Sequence, residues 1–146
     1  MKSLPIVWQR LVDAGGQTCD RCAATYVGLT EAVAKLKAAL RPLGIEPTLE
    51  TRDIDRESFK ADPSQSNRVW IAGKPIEKWL GAGVSSSPCC SVCGDSECRT
   101  IEVGGNRFEA IPSELTLRAA LLAASQLIGP SARESGRKCA PDCCPE

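Results

Sequence analysis

The hydrophobic positions of the chain change their period along its length, and these changes predict alternating strands and helices. Between residues 23 and 43, apolar residues recur every three or four positions, which predicts an amphipathic helix. The same spacing returns after Ser113, a favourable N-cap, and predicts a final helix that ends at Gly129-Pro130. The expected apolar faces are Leu29, Val33, Leu36, Leu40 and Leu43 in the first helix, and Leu117, Leu121, Ala124 and Ile128 in the last.

Shorter runs of β-favouring residues, bounded by turn residues, predict strands between these helices. The predicted strands span residues 5–13, 45–54 and 67–72. A Gly104-Gly105-Asn106 turn between residues 99–103 and 107–111 predicts a hairpin. The predicted short helices span residues 55–61 and 75–80, and a loop rich in Gly and Ser spans residues 81–88.

The order of these elements predicts an α/β fold, in which a mixed sheet is flanked by helices. We expect residues 1–129 to form one domain, with a Cys-rich inserted loop at residues 81–98. Residues 130–146 are polar, have no apolar period, and are expected to form a disordered tail.

The cysteine content indicates thiol chemistry, because the 146 residues include nine Cys and no His. The first twelve residues do not have the pattern of a secretory signal, so we expect a cytoplasmic protein. In that compartment clustered cysteines more often bind metal or do redox chemistry than form structural disulfides. The absence of His excludes Cys–His catalytic pairs and mixed Cys/His zinc sites.

Charge and hydropathy narrow the range of partners. Lys plus Arg and Asp plus Glu both number 18, so the formal net charge is zero, and we do not expect nucleic acid as a main partner. No apolar stretch approaches the length that spans a bilayer, so we do not expect membrane insertion. No motif indicates an organic cofactor. The expected partners are a metal ion and, as alternatives, a protein thiol or a metal transporter.

The first candidate site is Cys19-Asp20-Arg21-Cys22, which is predicted to lie between the first strand and the first helix. Two thiols three positions apart can cycle between dithiol and disulfide, or they can bind a soft metal. At a helix N-terminus, unpaired N–H groups and the helix dipole favour a Cys19 thiolate. Cys19 would then be the nucleophile and Cys22 the resolving thiol if the site is redox-active.

Two further groups of thiols are candidate metal ligands. Cys89, Cys90, Cys93 and Cys98 place four sulfurs within ten residues, and Gly94 supplies a sharp turn. The adjacent pair Cys89-Cys90 departs from ordinary zinc spacing and suits soft ions such as arsenic or mercury, while a structural zinc site remains the alternative. The tail adds possible ligands at Cys139, Cys143 and Cys144.

The chain resembles the thioredoxin-like fold over roughly residues 4–128. The resemblance is carried by Cys19-Asp20-Arg21-Cys22 and by the run from Asn67 to Pro75. More narrowly, it resembles a bacterial thioredoxin-like family classed as a domain of unknown function. The resemblance implies a fold and a Cys site rather than an activity. The chain departs from the pattern where Ser66-Asn67-Arg68 stands in place of a cis-proline segment, which in such proteins faces the CxxC and keeps metal off the thiols.

Three functions remain open. The favoured one is a protein that binds a soft metal or metalloid (arsenic, mercury or zinc) for sequestration or transfer in detoxification, through Cys19, Cys22 and the cluster from Cys89 to Cys98. The second is an enzyme, a thiol–disulfide oxidoreductase that uses Cys19 and Cys22, with structural zinc in the loop. The third is a zinc-stabilised adaptor that binds another protein.

Overall fold

The computed structural model of the chain describes residues 1–13, 15–88 and 97–128. Strand β1 is Lys2–Leu11, helix α1 is Asp20–Leu40, and after a 3-10 turn at Arg41–Leu43 strand β2 is Ile45–Ile54. Helix α2 is Arg56–Ala61, a second 3-10 turn is Pro63–Gln65, and strand β3 is Arg68–Ile71. The remaining elements are β4 Lys74–Pro75, α3 Ile76–Leu80, β5 Gly83–Pro88, β6 Glu97–Val103, β7 Asn106–Phe108 and α4 Ser113–Ile128.

Strands β1 to β4 form a mixed sheet in the order β2-β1-β3-β4. β1 and β2 run parallel because α1 crosses between them, and β1 pairs antiparallel with β3. Leu4, Ile6 and Trp8 of β1 are buried at alternate positions, as expected for a strand with one face on the core. The predicted mixed α/β architecture with flanking helices is therefore confirmed.

The last three strands form a separate antiparallel sheet, in the order β5-β6-β7. The predicted hairpin is confirmed: β6 and β7 are joined at Gly104 and Gly105, whose φ angles of 58° and 81° suit a two-residue hairpin turn. The loop predicted at 81–88 is corrected, because Gly83–Pro88 is strand β5 and pairs with β6. Its Gly and Ser residues favour strand weakly, so pairing with β6 accounts for the strand.

Helix α1 begins at Asp20, three residues earlier than its apolar period indicated, with Cys19 as N-cap. Its predicted face is confirmed for Leu29, Val33, Leu36 and Leu40, which are all buried. Leu43 lies beyond the end of the helix and is exposed. The early start places Cys22 in the first turn of α1, which the apolar pattern alone did not indicate.

The predicted apolar face of α4 is confirmed for Ala124, which is buried, and in part for Leu117, which packs against the core, but it is wrong for the other two residues. The buried residues of this helix are mainly small, whereas Leu121 and Ile128 are 50% and 53% exposed. The buried set is Leu115, Thr116, Ala119, Ala120, Ala123 and Ala124. Small side chains let α4 approach α1 and the sheet closely, and this close packing outweighs the burial of larger leucines.

The segment that enters α4 lies directly against α1. The Thr25 hydroxyl accepts a buried hydrogen bond of 3.0 Å from the Ile111 N–H. A Cβ added at Gly28 would lie 2.8 Å from the Ile111 carbonyl oxygen and 3.1 Å from the Ser113 nitrogen. Position 28 therefore has to be glycine, because the backbone of residues 111–113 lies too close for a side chain. Within the described ranges, none of the four helices combines the length and apolarity needed to cross a membrane.

We predict that Gly28→Ala destabilises the protein by about 1–3 kcal/mol, because the new methyl group collides with backbone that cannot move away. This loss would exceed the gain of about 1 kcal/mol in helix propensity. The measurement is the free energy of unfolding from urea titration. Val27→Ala is the matched control, since Val27 is exposed on the same turn and should change stability by about 0.5 kcal/mol or less. Equal or greater stability of Gly28→Ala would contradict the close approach.

Candidate functional site

Two thiols lie together at the junction of β1 and α1. Cys19 is the N-cap of α1, with extended backbone angles of −74° and 165°, and its carbonyl accepts the Ala23 N–H at 2.9 Å. Cys22 lies one turn further along. Both are thiols in this structure, and each is only 2% exposed. The predicted pair is therefore brought together, but both of its members belong to the core.

The pKa of the Cys22 thiol is raised far above its ordinary value. The largest cause is a hydrogen bond with the Cys19 side chain, followed by burial and by charge repulsion from Cys19. Hydrogen bonds from Thr18 and Ser66 oppose this shift but are weaker. The first ionisation of the pair therefore raises the cost of the second, and the Cys22 thiol is held in its protonated form by its neighbour and by burial.

The segment that replaces the expected cis-proline faces Cys22. The Ser66 hydroxyl lies 3.7 Å from the Cys22 Sγ and also accepts the Leu11 N–H at 3.1 Å. Asn67 has a left-handed φ of 60°, and its side-chain oxygen accepts the Trp8 Nε1–H at 3.1 Å. None of the described peptide bonds is cis. The sequence singled out this position, but it did not indicate that a hydroxyl would contact the buried thiol.

Arg21, inside the CxxC, connects α1 to the second sheet. Its Nη2 donates to the Ser87 Oγ and to the Pro88 carbonyl, both at 2.7 Å, and lies 3.0 Å from Glu109 Oε1. Its Nη1 is buried and makes no hydrogen bond within the described residues. Ser87 and Glu109 had no distinguishing signal in the sequence. The Arg21 bridge, meaning these contacts of Arg21 with Ser87, Pro88 and Glu109, holds the end of β5 beside the dithiol.

Cys98 is the one described member of the predicted four-cysteine cluster. It lies opposite Ser87 in the β5–β6 ladder, is 4% exposed, and shares the hydrophobic core with Cys19 and Cys22. It is disulfide-bonded, and its partner is neither Cys19 nor Cys22. The predicted ligands Cys89, Cys90 and Cys93, and the tail residues Cys139, Cys143 and Cys144, lie outside the described residues.

The described side chains that could bind a metal ion do not cluster around one point. Among residues 1–13, 15–88 and 97–128, no group of three or more His, Cys, Asp or Glu side chains converges closely enough to hold an ion. The described part of the candidate site therefore offers two adjacent thiols at Cys19 and Cys22, while Cys98 lies in the same hydrophobic core and is disulfide-bonded. A disulfide sulfur is not a thiolate, so Cys98 would need to be reduced before it could act as a ligand.

Comparison with known proteins identifies the family. A family model described as "Domain of unknown function (DUF2703)" matches residues 4–120. The chain belongs to this family. The DUF2703 match includes Cys19, Cys22 and Cys98 and stops within α4.

One relative matches over most of this chain. A protein of Archaeoglobus fulgidus, described as "Uncharacterized protein", is 45% identical over 112 residues, which is 77% of this chain and 81% of the relative. No solved structure gives a significant match. Membership of the DUF2703 family thus supports the expected domain-of-unknown-function family without adding an activity.

The raised pKa of Cys22 predicts how the stability of the reduced protein depends on pH. The unfolded chain releases the Cys22 proton near pH 9.0, whereas the folded chain retains it at higher pH. The contribution of Cys22 to stability is therefore fully present below pH 9.0 and is lost as the pH rises above it.

We expect the wild type to lose about 1 kcal/mol more than Cys22→Ser between pH 9 and pH 10, since one retained proton gives a slope of about 1.4 kcal/mol per pH unit. Urea unfolding with a non-thiol reductant measures the difference. Cys22→Ser is the matched control because it keeps a similar volume and does not titrate in this range. Identical pH slopes for the two proteins would show that Cys22 ionises normally in the fold.

Proposed function

We propose that this chain is a thiol–disulfide oxidoreductase whose redox group is the Cys19–Cys22 dithiol. The observation that carries the proposal is the hydrogen-bonded pair of buried thiols, in which Cys22 has a raised pKa. The two sulfurs of such a dithiol have different roles in disulfide exchange. The sulfur that ionises first is the nucleophile and forms a mixed disulfide with the substrate. The sulfur that keeps its proton attacks this mixed disulfide afterwards and resolves it.

The helix supports the assignment of Cys19 as the nucleophile. Cys19 caps the N-terminus of a helix of 21 residues, where unpaired N–H groups and the helix dipole stabilise negative charge. Cys22 lies in the first turn, packed against Thr18 and Ser66. Both side chains act to lower the pKa of the Cys22 thiol, which favours its later ionisation during resolution.

The reaction proceeds in two exchanges. The Cys19 thiolate attacks one sulfur of a disulfide, and the other sulfur leaves as a thiolate and takes up a proton. Cys22 then gives up its proton and attacks the Cys19 sulfur, which releases the second substrate sulfur and closes the Cys19–Cys22 disulfide. Two electrons pass from the dithiol to the substrate disulfide.

A thioredoxin-like body is part of this proposal. It is supported by α1 crossing between the parallel strands β1 and β2, by β3 running antiparallel to β1, and by the position of the CxxC at the β1–α1 junction. The second sheet, β5 to β7, is an addition to that arrangement. We further propose a cytoplasmic setting, in which cellular reductants would keep the dithiol reduced.

The test of the proposal is catalysis of insulin reduction by dithiothreitol. We expect the wild type to accelerate the reaction, and Cys19→Ser to fall to the rate of dithiothreitol alone, because the nucleophile is missing. Cys139→Ser is the matched control for loss of one thiol outside the dithiol, and it should match the wild type. Wild-type protein that fails to accelerate the reaction, or Cys19→Ser that retains full activity, would refute the oxidoreductase.

A second candidate function is binding of a soft metal or metalloid as cargo, for sequestration or transfer to a protein partner such as a transporter. The observation that favours it is that two buried sulfurs already lie within hydrogen-bonding distance of each other at Cys19 and Cys22. Large, soft ions such as trivalent arsenic or divalent mercury accept two or three thiolates, so the pair supplies most of a site.

For this second function we expect reduced wild-type protein to bind arsenite with better than micromolar affinity, and Cys22→Ser to lose most of that affinity because one of the paired sulfurs is gone. Isothermal titration under reducing conditions measures both values. Ser3→Ala, at an exposed position of β1, is the control and should bind arsenite as the wild type does. Equal affinities of Cys22→Ser and the wild type would place the ion elsewhere and remove the Cys19–Cys22 pair from the binding site.

A further inference from the structure

Strand β2 is an edge of the first sheet, and its outer side has no partner among the strands that the structure describes. The edge is long and regular, because the ten residues of Ile45–Ile54 pair with β1 in one continuous register without a bulge. Natural edge strands usually avoid other chains by being short, by bulging, or by carrying lysine or proline. Of these devices β2 has only Pro47, near its start, so most of the strand is open to another strand.

The pairing with β1 fixes which backbone groups of β2 point outward. The Lys2 N–H donates to the Gly44 carbonyl at 2.8 Å, and the Val12 N–H donates to the Ile54 carbonyl at 3.3 Å. Successive residues of a strand direct their N–H and C=O groups alternately to its two sides. The even-numbered residues of β2 therefore bond to β1, and the odd-numbered residues point their N–H and C=O groups outward.

One antiparallel arrangement of two β2 strands uses these outward groups fully. With a two-fold axis at Thr51, Thr51 faces Thr51 of the second copy, and Leu49 faces Asp53 of the second copy. Each of these pairs exchanges both of its N–H to carbonyl hydrogen bonds, so no outward N–H group between residues 49 and 53 stays unpaired. Opposed threonines are also a favourable cross-strand pair.

The charges of β2 match in the same arrangement. Glu50 faces Arg52 of the second copy, and by symmetry Arg52 faces Glu50, so opposite charges meet on both sides of the axis. Within one chain, Arg52 Nε lies 3.4 Å from Glu50 Oε1, and the two side chains remain 54% and 64% exposed. Both are therefore available to a partner strand.

The other axis positions in residues 48–53 are unfavourable. An axis at any of the three charged residues would place two like charges directly opposite each other, and an axis at Thr48 would oppose one glutamate to another. An axis at Leu49 would oppose Thr51 to Pro47, which has no N–H group to donate. Thr51 is thus the axis that satisfies both the backbone and the charges.

An apolar groove borders the edge at the same residue. Thr51 lines it together with Trp8 of β1 and with Tyr26 and Val27 of α1. Trp8 pairs with Thr51 in the sheet, and the Tyr26 ring stacks on the Trp8 ring with their centroids 5.3 Å apart. Tyr26 and Val27 are nevertheless 44% and 56% exposed, so apolar surface is open to water beside the axis.

We propose that β2 is a dimerisation edge, at which two copies of this chain pair antiparallel about a two-fold axis at Thr51. The two four-stranded sheets then form one continuous sheet, and the grooves of the two copies adjoin at the axis. Hydrogen bonds of the two backbones fix the register, and the Glu50–Arg52 pairs select it over its alternatives. The dimer is independent of the proposed function, since neither Cys19 nor Cys22 takes part in the pairing.

The test is sedimentation velocity of the full chain over a dilution series, with a phosphine reductant present to exclude intermolecular disulfides. We expect a wild-type dimer that dissociates on dilution. Glu50→Arg opposes two arginines on both sides of the axis, and Arg52→Glu opposes two glutamates. Each change should therefore raise the dimer dissociation constant about tenfold or more.

Restoring the charge pairs should restore the dimer. An equimolar mixture of Glu50→Arg and Arg52→Glu again places opposite charges face to face, and we expect it to form a heterodimer about as tight as the wild-type dimer. Glu102→Arg is the matched control, since Glu102 is an exposed glutamate of β6, and it should dimerise like the wild type. Circular dichroism confirms that every variant folds.

Three results would overturn the proposal. A wild type that stays monomeric over the whole series would exclude a second copy as the partner of β2. Charge variants that dimerise as tightly as the wild type would show that any dimer uses another surface. Folded variants that remain monomeric when mixed would show that the loss of dimer does not come from the Glu50–Arg52 pairs.

Discussion

Two thiols buried one helical turn apart cannot both carry a negative charge, and this constraint governs the candidate site. Cys19 caps α1 and Cys22 lies in its first turn, both within the core that β1, α1 and β3 share. The first ionisation raises the cost of the second, because the charge on one sulfur repels the other and burial removes the water that would screen it. The pKa of the Cys22 thiol is raised accordingly, and a protonated second sulfur is what the proposed disulfide exchange requires.

Two arginines bring the second sheet to this site. Arg21 reaches from α1 to Ser87 and Pro88 at the end of β5, while Arg99 of β6 is buried and pairs with Glu77 of α3. Hydrogen bonds to buried charged groups are stronger than neutral ones, and removing one partner would leave the other unpaired in the interior. These contacts hold the second sheet against the rest of the protein, and Cys98 of β6 lies within the hydrophobic core.

Much of the architecture could be predicted from the sequence, since the period of α1, the β-favouring runs and the Gly104-Gly105 turn are local signals. The position of Cys19 and Cys22 at the start of α1 could also be predicted, because a CxxC before an amphipathic helix indicates a helix N-terminus, while their function stays a prediction. The face of α4 could not be predicted, since close packing of its alanines against α1 depends on Gly28 and on tertiary contacts. Strand β5 and the contacts of Ser66 and Ser87 depend on partners distant in sequence, which no local pattern encodes.

The most direct test of the central claim is a redox titration of the Cys19–Cys22 pair in glutathione buffers, read by mass mapping of alkylated peptides. The account predicts that Cys19 and Cys22 convert together, in one reversible two-electron transition, from two alkylated thiols to one disulfide-linked peptide. The account would be contradicted if both remained alkylated thiols across the whole range of buffers while the protein stayed folded.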